Sequence, residues 1–210
     1  MENKHLQEIS EIRRMMEQSS RFLSLSGMSG IFVGLIALAG SVTAFFYLDY
    51  HQRYFNAVKF YQNIGAEDYR NTILFLIADG FIMITAALFA AWFFTSRKAR
   101  KMGLPLWDNT AKRLLKSLFI PLVAGGIFVL ILLYHQLVYL VAPVTLIFYG
   151  LALLNASKYT YNDLQMLSYA QICLGLIASF FLGYGLVFWA VGFGIFHILY
   201  GIMMYYKYEK

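Results

Sequence analysis

Cysteine is almost missing from this sequence. Cys173 is the only one, so an intrachain disulfide, dithiol chemistry and a metal site built on thiolates are excluded. Charge is also scarce: 13% of residues are charged, where a soluble domain carries roughly a quarter. Histidine occurs at 5, 51, 135 and 197, too scattered for a ligand set, and no H-E-x-x-H stands on any stretch. No phosphate-binding glycine loop is present. A second acid to pair with Asp79 inside an apolar run is missing as well, which removes the paired carboxylates of general acid–base chemistry. No nucleophile set replaces them. The expectation is a protein with no catalytic residues, no metal and no cofactor.

What the chain has is apolar length. It is 60% hydrophobic and 18% aromatic. A hydrocarbon layer about 30 Å thick needs about 20 apolar residues per helix, and six runs approach that length: 27–48, 72–95, 114–134, 137–154, 166–183 and 186–206. The expected fold is all-α, a polytopic membrane protein of six transmembrane helices. A cytoplasmic amphipathic helix over 1–26 precedes the six-helix domain of 27–206, and a short tail of 207–210 follows it. Ala37-Leu38-Ala39 imitates a signal-peptide cleavage site. The stretch before it is long and holds Glu2, Glu8, Glu11 and Glu17, however, and the apolar run continues to Tyr47, so a retained helix is expected.

Basic residues set an orientation. With both termini inside, only Arg53, Lys59 and Arg70 of the 17 lysines and arginines fall outside. The net charge of +6 therefore follows membrane topology and gives no reason to expect nucleic acid as a partner. The sequence points to a bacterial cytoplasmic (inner) membrane, with membrane lipids as neighbours.

Leu6, Ile9, Ile12 and Met16 form one stripe in residues 2–24. Such a helix either lies on the membrane or bundle ends or serves as a handle for a cytoplasmic protein partner. A second amphipathic stretch, with Trp107, Ala111, Leu114, Leu115 and Leu118 on one face, precedes the third run, and Asp108 or Asn109 can cap it. The connection over 49–71 is long among short ones, with Tyr54, Val58 and Tyr61 at helical spacing. It reads either as a lid or as an ordinary interfacial helix.

Short matches hint at three tandem helical hairpins: "GIFVG" at 30–34 with "GIFVL" at 126–130, "GLIAL" at 34–38 with "GLIAS" at 175–179, and "IFYGLALL" at 147–154 with "ILYGIMMY" at 198–205. Gly30 and Gly34 make a small-residue pair suited to close helix packing, in the bundle or in a homo-oligomer. The stretch "EIRRMMEQSSRFLSLSG" resembles the start of small bacterial six-helix inner-membrane proteins, in which an Arg/Ser-rich segment leads into a Ser-Gly-rich first helix. The likeness covers about the first thirty residues and implies no activity.

Asp79 is the acid within "LFLIADGFIMIT", residues 74–85. A charged aspartate at depth costs about 2.5–3.5 kcal/mol on insertion scales, so it must be protonated, hydrogen-bonded or turned to a wet cavity. Ser41, Thr43 and Thr145 are expected at similar depth, with His135 and Gln136 in the turn above and Tyr54 and Tyr61 as a roof. Together they suggest an outward-facing pocket for a small or amphipathic ligand, in a sensing, regulatory or accessory role. The alternatives are a cross-brace with no ligand, or a small secondary transporter or channel in which Asp79 and His197 couple to protons or cations. His197 reads either as a ligand or relay group or as a hydrogen bond to a neighbouring helix. Gln171 reads as an interhelical bond, and Gly192 and Gly194 loosen the sixth helix.

Overall fold

The computed structural model describes Phe22, residues 24–50 and residues 65–210. The described residues are helical, with turns and no strand. Six helical segments run back and forth: α1 Gly27–Tyr50, α2 Ala66–Lys101, α3 Asn109–Tyr134, α4 Val141–Ser157, α5 Asp163–Phe180 and α6 Leu182–Tyr208. Five stretches are long and apolar enough to cross a membrane, namely Gly27–Leu48, Ala66–Lys101, Asn109–Tyr134, Val138–Ser157 and Leu182–Tyr208. α5 carries Asp163, Gln165 and Gln171, which dilute its apolar character.

Local chemistry sets the ends. α2 begins with Glu67 and Asp68 and closes with Lys98, Arg100 and Lys101, so charge opposes the helix dipole at both termini. Gly103, at φ 65°, takes the left-handed conformation that turns the chain after it. Asp108 caps α3 by accepting the Ala111 N–H at 2.6 Å. Between α3 and α4, Gln136 holds φ 60° in a tight turn.

Three elements differ from their expected extents. α2 is one helix of 36 residues, about 54 Å long at 1.5 Å per residue, and absorbs the end of the long connection. The amphipathic stretch before the third run is continuous with that run, passing through the buried Pro121 as one helix. Of the expected N-terminal helix, Phe22 and residues 24–26 are described and are not helical; the rest lies outside the described residues. Tyr54, Tyr61 and the roof they were to form also lie outside them.

α6 is composite. A 3-10 turn at Leu182–Tyr184 leads into Gly185–Trp189, a π-helical turn follows over Ala190–Phe196, and an α-helix completes it over His197–Tyr208. The two glycines Gly192 and Gly194 lie inside the π segment, both buried.

α1 lies between α2 and α6, and α4 between α3 and α5, while α6 bridges the two groups. α2 packs along α1 and forms no comparable seam with any other helix. Its sides are left bare: Phe81 is 69% exposed and Phe89 64%. The α1–α6 crossing is made by small residues. A methyl group added at Gly201 would come within 2.5 Å of the Ile31 backbone nitrogen, and one at Gly34 within 2.6 Å of the Gly194 carbonyl oxygen. Gly30 and Gly34 thus spend their small size inside the bundle. The repeat is matched unevenly: Gly150 and Gly201, equivalent in the third pair, both meet another helix's backbone, whereas Gly126, the counterpart of Gly30, faces open space.

Gly201→Ala should force α1 and α6 apart and cost about 1–3 kcal/mol, read as a lower unfolding temperature in detergent. Gly126→Ala, with nothing within 4 Å, should leave that temperature unchanged or raise it.

Candidate ligand-binding cavity

The separation of α2 from the α3–α4 pair leaves a cavity of about 500 Å³, a size typical of small-molecule sites. α1 contributes Gly40, Ser41 and Ala44; α2 contributes Ile73, Leu76, Asp79, Gly80, Met83 and Ile84 among others; and Val129, Leu133, Ala142, Thr145 and Trp189 close the far side. At the α3–α4 end, the Tyr69 hydroxyl donates to the Leu133 carbonyl at 2.7 Å and ties α2 to α3. Asp79 lies about 15 Å further along α2, on the cavity wall.

Thr43 Oγ1 lies 3.0 Å from Asp79 Oδ1 and 2.8 Å from the Gly40 carbonyl oxygen. A threonine hydroxyl has one proton to give, and both neighbours are acceptors when the aspartate is ionised. A proton on Asp79 would satisfy the set, with the acid donating to Thr43 and Thr43 donating to Gly40. Ser41 and Thr145 spend their protons on their own helices, donating to the Ala37 and Ala142 carbonyls at 2.8 Å each. Toward the cavity they can offer only lone pairs.

Of the expected site residues, Asp79 and Thr145 line this cavity from opposite sides and Thr43 braces Asp79 from α1. Two others stand elsewhere. His135 caps the exposed end of α3 and sits edge-on to Tyr134, because the tight turn at Gln136 directs it away from the cleft. His197 is 4% exposed and is fixed within α6 and α4: Nδ1 is 3.0 Å from the Gly192 carbonyl and Nε2 is 2.7 Å from the Tyr149 hydroxyl. Because a carbonyl can only accept, Nδ1 must carry the proton and Tyr149 must donate to Nε2. Gln171 Nε2 donates to the same Gly192 oxygen at 2.8 Å. Two side chains thus converge on one carbonyl within the π turn, so Gln171 and His197 lock α5, α6 and α4 together.

A second polar cluster, at the opposite end, was not foreseen. Glu209 accepts from the Gly27 N–H at 2.5 Å and from the Ser26 hydroxyl at 3.3 Å, satisfying the start of α1. Lys98 pairs with Glu209 at 3.3 Å, donates to the Leu25 carbonyl at 2.7 Å and lies over the Tyr161 ring. Nearby, Lys207 and Tyr208 donate to Asp163 at 2.8 and 2.6 Å. Partial burial works against charge on Asp163, but those hydrogen bonds and the Lys207 charge outweigh it and hold the carboxyl below its ordinary value.

Among the described residues no group of histidine, cysteine, aspartate or glutamate is placed to hold a metal ion. No family model matches the chain, and neither a curated protein nor a solved structure matches it.

Glu209→Gln should cost roughly 3 kcal/mol, because it leaves Lys98 buried without its counter-charge. Adding Lys98→Met should recover part of that loss in the same unfolding assay. Tyr149→Phe should cost about 1–3 kcal/mol by leaving His197 Nε2 unpaired, with no change in any ligand affinity of the cavity.

Proposed function

We propose that this chain is a six-span protein of a bacterial cytoplasmic membrane that binds a small amphipathic molecule in the cavity bearing Asp79. The role that suits it is sensing, regulation or accessory function, with no catalysis. The carrying observation is one carboxyl on the wall of an apolar cavity of about 500 Å³, braced by a hydroxyl and, among the described residues, matched by no cation in the lining. An intramembrane acid so placed is a functional group by default.

Support for the membrane comes from the bare apolar flanks of α2 and from the distribution of basic residues. Arg97, Lys98, Arg100 and Lys101 stand at the end of the bundle that also holds Lys207, in keeping with a cytoplasmic position for that end. Both described chain ends meet there, through Ser26 and Glu209. A cytoplasmic partner reading the state of the cavity would find the polar cluster of Lys98 and Glu209 on the same side. The transporter reading loses His197 as a coupling partner, since that side chain is occupied by Tyr149 and Gly192.

Trp189 lines the cavity, whereas Trp92 and Trp107 are exposed elsewhere. In a protein carrying Trp92→Phe and Trp107→Phe, a brominated medium-chain alcohol should quench Trp189 saturably. Quenching that rises only linearly with the alcohol's partitioning into the bilayer would reject a binding cavity.

A further inference from the structure

The polar atoms of the cavity have one character in common. Asp79 presents a carboxyl, while Ser41 and Thr145 have committed their protons to the Ala37 and Ala142 carbonyls and present lone pairs. Among the described lining residues, the side chains able to donate besides a protonated Asp79 are the Tyr139 phenol and the Trp189 indole. Among the described residues no lysine, arginine or histidine lines the cavity. Three aromatic residues do: Phe81, Tyr139 and Trp189. Aromatic faces and unneutralised acceptors together favour a cation with an apolar body, and disfavour an anion.

Resting on the cavity reading above, we propose that the ligand is a lipophilic organic monocation, an amine or quaternary ammonium, and that it exchanges with a proton on Asp79. In the empty site the proton sits between Asp79 and Thr43, and Thr43 donates to Gly40. When the cation enters, that proton leaves to solvent, Thr43 turns its hydroxyl to the carboxylate, and the charge of the site stays unchanged. This order follows from the two distances at Thr43 Oγ1, which give one hydroxyl proton two possible acceptors. The other groups facing Asp79 do not compete for the proton. Among the described residues, α1, α3, α4 and α6 line the cavity with no carboxyl, amine or imidazole, which leaves the Tyr139 phenol beside Asp79.

The test uses the full chain carrying Trp92→Phe and Trp107→Phe in phosphatidylcholine nanodiscs, with Trp189 fluorescence as the readout and empty nanodiscs subtracted. The probes are tetraphenylphosphonium and tetraphenylborate, which share a shape and differ in the sign of their charge. The expected result is tenfold or greater preference for the phosphonium, release of about one proton per cation in weak buffer, and affinity that falls as pH is lowered. Asp79→Asn should abolish the preference and the proton release, while Asp79→Glu, which keeps the acid, should retain both and guards against a folding defect.

Equal binding of the two ions, or a preference untouched by Asp79→Asn, overturns the cation assignment and leaves an apolar ligand cavity standing. Cation preference without proton release overturns the exchange. If neither ion nor the brominated alcohol quenches Trp189 saturably, the cavity reading itself fails.

Discussion

The contact on which this molecule turns is the approach of α1 to α6, where backbone meets backbone. Gly27 and Gly34 on one helix and Gly201 on the other leave no room for a methyl group, and Gly30 leaves little. In a layer where helix exterior and surroundings are equally apolar, such close packing replaces the hydrophobic drive that holds soluble bundles together. With α1 drawn onto α6, α2 is carried as an outrigger on the far side of α1, reinforced by Tyr47 stacked on Phe75 at 3.8 Å and Phe32 on Phe94 at 4.7 Å. The space between α2 and the α3–α4 pair is the consequence, and that space is the cavity.

Polar groups are distributed to suit this arrangement. Those at the end holding Lys98 and Glu209 are paired with one another and with free backbone groups at the start of α1, so they hold the ends of the helices in place. Those in the middle of α5 and α6 are consumed at the π turn by one carbonyl, Gly192. Asp79 differs from both groups: its partner among the described residues is a single threonine hydroxyl. This contrast, more than the depth of the acid, separates a bracing role from a binding one.

The helical character and the approximate spans were legible because apolar length is a direct property of sequence. Asp79 was legible for the opposite reason, as the one charge inside such a run. Thr43 and Thr145 could be placed near it from depth alone. Rotation about each helix axis could not be read, since lipid-facing and core-facing residues are equally greasy. For that reason His135 and His197 were grouped with a cavity that neither one lines. The Lys98–Glu209 pair was hidden by distance along the chain: a lysine near the end of α2 meets the penultimate residue only after the bundle has closed. A lysine 9% exposed would have been hard to anticipate from a stretch as basic as "SRKARK", where topological anchoring explains every charge.

The proposed exchange requires a single carboxyl to change state with the occupancy of the cavity, and infrared spectroscopy observes such a group without relying on affinity. In the ligand-free protein a carbonyl stretch of a protonated carboxylic acid should be present, absent from Asp79→Asn, and replaced by carboxylate bands when tetraphenylphosphonium is added. A band that survives Asp79→Asn, or that stays unchanged while the cation saturates the site, would contradict the account.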